Sequence, residues 1–152
     1  MYKYIISIRL YKIVKSSMKN YYYKVAKDYI DLNGHLTEWG FYAYATKAIW
    51  NLNDDYGLLK LYKTYGFGPI IFDTEIKFLR EVFEGDEIYV KPRIEKIFCD
   101  NKKFVRVIEI FNESDELCAS FISHGAFLDH KQRKIIKPPP VGLKAFKKLI
   151  IK

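Results

Sequence analysis

The sequence contains little cysteine. Its two cysteines, Cys99 and Cys118, lack the paired spacing of a disulfide framework or a cysteine-based zinc site, and they fit a reducing environment. Two of its three histidines, His124 and His130, follow no ligand pattern either. We therefore expect a cytoplasmic protein that needs no metal and no other cofactor.

The sequence also lacks an apolar run long enough to span a membrane. The apolar N-terminal stretch is interrupted by Arg9 and Lys12, whereas a transmembrane helix needs about 20 mainly apolar residues. No small-residue cleavage site follows this stretch, so a signal peptide is not expected.

Acidic residues are missing from both ends of the 152-residue chain. Residues 1–19 contain five basic groups and residues 131–152 contain eight, with no acid in either segment. All 18 acidic residues lie in between, where 13 basic residues leave a net charge of −5. The total charge of +8 therefore reflects two basic ends and does not indicate a nucleic-acid partner. We predict one domain at 20–140, with a basic extension at 1–19 and a basic tail at 141–152.

The C-terminal tail follows three prolines at 138–140 and has the pattern of a short, basic, amphipathic helix over 142–152. Its apolar positions predict one of two alternatives. They contact an anionic membrane surface or an acidic partner, or they pack on the chain's own domain.

The central part of the sequence begins with a predicted strand at 21–28 and a long helix from Glu38 to Asn53. Thr37 is a good N-cap and Gly57 a good stop signal. The helix is apolar on nearly all sides, with Trp39 and Trp50 among its apolar residues, so we expect it to be buried on most of its surface.

Four further strands follow the helix, at 70–80, 88–98, 103–111 and from Leu117 to Phe127. Short turns join them, which is typical of an antiparallel sheet. In the second of these strands, the alternation predicts that Phe98 lies on the same face as Ile88 and Val90. The sequence therefore predicts an α+β fold in which a curved antiparallel sheet wraps around one long buried helix.

Three short motifs accompany this pattern: Asp-Leu-Asn-Gly-His-Leu at 31–36, Phe-Leu-Arg at 78–80 followed by Glu-Gly-Asp at 84–86, and Leu-Cys-Ala at 117–119. Together they resemble the acyl-CoA thioesterases of the 4-hydroxybenzoyl-CoA thioesterase-like family, which have the hotdog fold. The resemblance covers about residues 21–140.

This resemblance implies a thioester hydrolase in which Asp31 is the general base or nucleophile and the backbone amide of Glu38 stabilises the oxyanion. It implies further catalytic-site residues at Asn33 and His35. The implied substrate-binding residues are Gly34, Thr37, Phe41 and Arg80. The implied substrate is an acyl-CoA or an acyl carrier protein thioester, and the implied assembly is a homodimer or homotetramer. Thr37 and Glu38 replace two asparagines usual in the family, and Phe41 replaces a tyrosine.

Other interpretations of the motif remain open. Asp31 could form only an Asx-turn before the helix. The chain could be a hotdog dehydratase or hydratase acting on acyl thioesters, although that branch uses a different Asp and His arrangement. It could also be a non-catalytic module that binds an acyl thioester or a partner protein.

Overall fold

The computed structural model describes residues 19–150, so the predicted N-terminal extension lies, apart from Lys19, outside the described residues. The elements are β1 (Tyr21–Lys24), a short 3-10 helix (Lys27–Tyr29), α1 (Glu38–Asp55), α2 (Leu58–Tyr65), β2 (Phe67–Phe78), β3 (Glu87–Phe98), β4 (Lys103–Asn112), β5 (Leu117–Asp129) and α3 (Pro140–Lys147). None of the described helices is long and apolar enough to cross a membrane.

The five strands form one antiparallel sheet in the order β1-β3-β4-β5-β2. Helix α1 packs against this sheet, mainly against β3. The core lies between them, because alternate residues of each strand face the helix. This arrangement confirms the predicted α+β hotdog fold. The first strand is shorter than predicted, since the chain leaves β1 after Lys24 and forms the 3-10 helix.

Helix α1 is buried on one side only. Phe41, Tyr44 and Ala48 are buried against the sheet, as the sequence predicts. The expectation of burial on most sides is wrong for the opposite face, where Trp39 is 58% exposed and Trp50 is 64% exposed. A single sheet covers one face of a helix, so these two indoles remain uncovered by residues 19–150 of the same chain.

A second helix follows α1 almost directly. The first helix continues to Asp55, and Gly57 then adopts a left-handed conformation with φ of 69°. Helix α2 begins directly afterwards and was not predicted. Gly57 is therefore a junction between two helices, since a residue with positive φ turns the chain without extending either helix.

The C-terminal segment packs on the domain. Helix α3 begins at Pro140, because proline fits the first position of a helix. Phe146 is 3% exposed, and the centre of its ring lies 5.2 Å from that of Phe104 and 4.8 Å from that of Phe127. Leu149 is also buried. Of the two alternatives for the tail, the structure has the packed one, so the alternative in which the apolar face of this helix contacts a membrane or an acidic partner is wrong.

Candidate active site

The loop before α1 is held at both of its ends. Leu36 is 1% exposed and its amide donates to the carbonyl of Val82 at 2.7 Å, while the amide of Thr37 donates to the carbonyl of Tyr29 at 2.9 Å. Between Tyr29 and Leu36, Gly34 takes a φ of 81°. A residue without Cβ adopts that conformation at little cost, so the loop can reverse within a few residues.

Asp31 opens this loop, and its carboxylate forms an Asx-turn. The backbone amide of Asn33 donates to Oδ1 of Asp31 at 2.8 Å, and the Asn33 side chain lies 3.5 Å from Oδ2. The interpretation that Asp31 forms an Asx-turn is therefore confirmed. The same carboxylate is half-buried and lines a cavity, so the turn also fixes where the carboxylate lies.

Helix α1 starts where the loop ends. Oγ1 of Thr37 accepts a hydrogen bond from the amide of Gly40 at 2.9 Å, which confirms the predicted N-cap. Within residues 19–150, the amides of Glu38 and Trp39 donate to no acceptor. Free N–H groups and the positive end of the helix dipole favour a negatively charged atom at this position.

Gly40 allows the first turn of α1 to lie against the loop. A Cβ atom at this position would lie 2.6 Å from Cδ1 of Leu36, 2.8 Å from Oγ1 of Thr37 and 3.1 Å from Cβ of Tyr29. Gly40 was not predicted as a site residue, because a glycine inside a helix is in general only a weak helix former. Its absent side chain lets the first turn of the helix pack against Leu36 and Tyr29.

A cavity of about 420 Å³ lies between the loop, the start of α1 and the end of β2. Its lining residues are Asp31, Asn33, His35, Leu36, Glu38, Phe41, Phe78, Leu79, Arg80 and Glu81. Six of the eight predicted site residues are therefore brought together. The other two, Gly34 and Thr37, do not line the cavity: the first shapes the loop and the second caps the helix.

Four lining residues were missed as site residues by sequence analysis: Leu36, Phe78, Leu79 and Glu81. The ring of Phe78 packs on that of Phe41 with 5.4 Å between centres, and Leu79 is 53% exposed. The signal was present, because Phe78 and Leu79 belong to the Phe-Leu-Arg motif. Their side chains add an apolar wall, and Glu81 adds a further carboxylate.

Two polar residues of the cavity lack a tight protein partner. The exposed guanidinium of Arg80 lies 3.3 Å from the Glu116 carboxylate, an ion pair that solvent screens. The His35 side chain makes no hydrogen bond within residues 19–150, and only its carbonyl bonds to the amide of Asp31, at 3.1 Å. Among the same residues, no group of three or more His, Cys, Asp or Glu side chains could hold a metal ion.

The chain matches the model of one known protein family. The family model of the thioesterase-like superfamily matches residues 25–146. A comparison with curated proteins finds no match.

Solved structures share the fold. A Staphylococcus aureus protein in complex with CoA aligns with a TM-score of 0.77 at 16% identity, covering 89% of this chain and 87% of that one. A probable thioesterase from Escherichia coli aligns at 0.79 and 12% identity, covering 88% and 99%. A 1,4-dihydroxy-2-naphthoyl-CoA thioesterase from Synechocystis aligns at 0.73 and 20% identity, covering 86% and 96%.

Proposed function

Because the chain belongs to the thioesterase-like superfamily, we propose that it hydrolyses acyl-CoA thioesters in the cavity beside α1. The observation that carries this proposal is the meeting of two groups at one cavity. The carboxylate of Asp31 and the free amide end of α1 both border it. Thioester hydrolysis requires a group that activates or replaces the attacking water and donors for the oxyanion that develops.

In the proposed reaction, the thioester carbonyl oxygen faces the amide of Glu38. Asp31 either takes a proton from a water molecule that attacks the carbonyl carbon, or attacks that carbon itself. The C–S bond then breaks, and the thiolate of CoA leaves and is protonated. Where Asp31 is the nucleophile, this leaves an anhydride between the acyl group and Asp31, which water then hydrolyses to free the carboxylate. The products are a carboxylic acid and free CoA. An oxyanion donor at this position is typically worth about 10²–10³ in rate.

The apolar wall and the nearby arginine suit the two ends of the substrate. Phe41, Phe78 and Leu79 provide apolar surface for the acyl group. Arg80 is exposed at the same cavity, where it is available to a phosphate of CoA once it leaves Glu116. The similarity to a protein that was solved in complex with CoA supports this assignment of the carrier.

We also propose that the protein acts as a homo-oligomer. Strand β2 forms an edge of the sheet, and Trp39 and Trp50 leave much of their indole surface uncovered on α1. A second copy would cover such an edge and such apolar side chains. Trp39 directly follows the proposed oxyanion donor, so a partner subunit would lie close to the cavity.

The test of the function is thiol release from a panel of acyl-CoA substrates with short, long and aromatic acyl groups, and from acyl carrier protein loaded with the same groups. We expect release from at least one acyl-CoA. Hydration or dehydration of the acyl chain without thiol release would contradict hydrolysis, and so would binding of acyl-CoA without turnover.

A further inference from the structure

A buried arginine lies under α1, away from the candidate active site. Arg106 belongs to the helix-facing row of β4, between the core residues Phe104 and Ile108, and only 9% of its surface is exposed. One of its terminal nitrogens, Nη2, donates to Oγ of Ser123 at 3.2 Å. Its Nε is buried and has no hydrogen-bond acceptor within residues 19–150. Buried donors are nearly always satisfied, so this one requires an explanation.

No carboxylate in residues 19–150 forms an ion pair with Arg106. The acid three positions further along the strand, Glu109, belongs to the opposite row and pairs with Arg93 at 2.8 Å. Burial lowers the pKa of the Arg106 guanidinium, and the hydroxyl of Tyr42 partly offsets this effect. An arginine nevertheless remains protonated at neutral pH, so the described part of the core contains a positive charge without a carboxylate partner.

A second cavity lies beside this charge. It has a volume of about 20 Å³ and is lined by Ile49, Leu52, Asn53, Pro69, Ile94, Phe104, Arg106, Phe146 and Leu149. Seven of these nine side chains are apolar. The cavity is large enough for one particle of about the size of a water molecule and too small for an oxyanion such as sulfate.

The two polar side chains of this cavity offer donors. Asn53 uses its Oδ1 to accept from the hydroxyl of Tyr62 at 3.2 Å and one Nδ2 proton to bind the carbonyl of Ile49 at 2.9 Å. A side-chain amide carries two such protons, so one remains. Because Asn53 and Arg106 both line the cavity, this proton and the Nε proton of Arg106 are two donors available at a site with a positive charge and apolar walls.

We propose that this cavity binds a single chloride ion, held by the Nε–H of Arg106 and the free Nδ2–H of Asn53. A water molecule would accept from the same two donors, but its own two protons would then face apolar side chains. A halide needs no acceptor and supplies the missing charge. The ion would connect α1, β4 and α3, since each contributes residues to the cavity.

The first test is thermal unfolding at constant ionic strength with chloride exchanged for gluconate, which is too large for the cavity. A ligand that binds only the folded state raises its stability with concentration. Raising chloride from about 1 to about 200 mM should increase Tm by about 3 °C or more. In the Arg106→Met variant this increase should disappear. The Lys103→Met variant loses an exposed positive charge on the same strand and should retain it. Equal Tm in both salts, or a chloride effect that survives Arg106→Met, would overturn the proposal.

A second test does not depend on a variant that folds. Crystals of the full chain grown in bromide should show an anomalous peak within hydrogen-bonding distance of Nε of Arg106. A water molecule at that position, with no anomalous signal, would overturn the proposal.

In addition, Asn53→Asp should place a carboxylate in the cavity and make Tm independent of chloride, because the charge of Arg106 then has an internal partner.

Discussion

The backbone amide of Asn33 donates a 2.8 Å hydrogen bond to the carboxylate of Asp31, which holds that carboxylate at the cavity beside the start of α1. The turn and the proposed catalytic role therefore depend on the same contact. A carboxylate fixed by a backbone amide loses little side-chain freedom when substrate binds, and preorganised groups act more effectively in a transition state.

Gly40→Ala should weaken both folding and catalysis. Its Cβ atom would overlap Cδ1 of Leu36 and Oγ1 of Thr37, so the buried Leu36 side chain, the Thr37 cap or the helix terminus must shift. We expect a loss of about 1–3 kcal/mol in the free energy of unfolding, measured by chemical denaturation. The activity of the folded fraction should fall as well. Ala43→Gly is a useful comparison, because it changes the backbone of the same helix at a half-buried position away from the loop. An unchanged stability of Gly40→Ala would contradict the proposed close contact.

Phe146→Ala should destabilise the domain by about 3–5 kcal/mol, since the ring is buried against Phe104 and Phe127. Lys147→Ala, one residue further on and exposed, should have little effect. Urea unfolding of both variants measures the difference. Truncation after Pro140 should for the same reason give an unstable protein. A stable truncated protein that loses only its binding to anionic vesicles would restore the alternative of a docking helix.

Arg80→Gln should raise KM for acyl-CoA by about tenfold, which corresponds to about 1.4 kcal/mol of lost binding. The reason is that its exposed guanidinium lies at the cavity and is available to a phosphate group. The same acyl group on pantetheine, which has no phosphate, should show no such increase. Lys96→Gln, an exposed cation on β3, serves as the control for a general loss of charge. An equal change in KM for both substrates would mean that Arg80 does not contact the phosphates.

Light scattering should show a mass of at least twice the 18.1 kDa of one chain at micromolar concentration. The exposed Trp39 and Trp50 and the open edge of β2 provide the surface for association. A monomer under these conditions would contradict the proposed homo-oligomer.

The elements that could be predicted from the sequence are those whose signals are local. Thr37 marked the start of α1, and alternation marked four strands, because capping and strand pleating depend on neighbouring residues. Phe98 was assigned to the wrong face, since β3 contains an extra residue between Ile94 and Lys96 relative to β4. Such a bulge reverses the alternation, and it arises from pairing with another strand rather than from the sequence of its own strand.

The same limit applies to the site and to the tail. Asp31 and Arg80 were found from motifs, but the cavity also contains Glu81, which no motif marked. The packing of Phe146 could not be decided from its apolar spacing, because that spacing fits a membrane surface and a protein core equally well. Only the positions of the strands that contact Phe146 distinguish packing in the core from contact with a membrane.

The most direct test of the account is the rate of acyl-CoA hydrolysis by Asp31→Asn. The substitution keeps the size of the side chain and an oxygen for the amide of Asn33, but removes the charge. We expect a folded protein whose kcat/KM for the best substrate is lower by at least about 10²-fold, the effect of losing a positioned base. Asp28→Asn, an exposed aspartate in the preceding 3-10 helix, should keep the full rate. A folded Asp31→Asn protein that hydrolyses the substrate at nearly the wild-type rate would show that Asp31 only forms the turn, and would contradict the account.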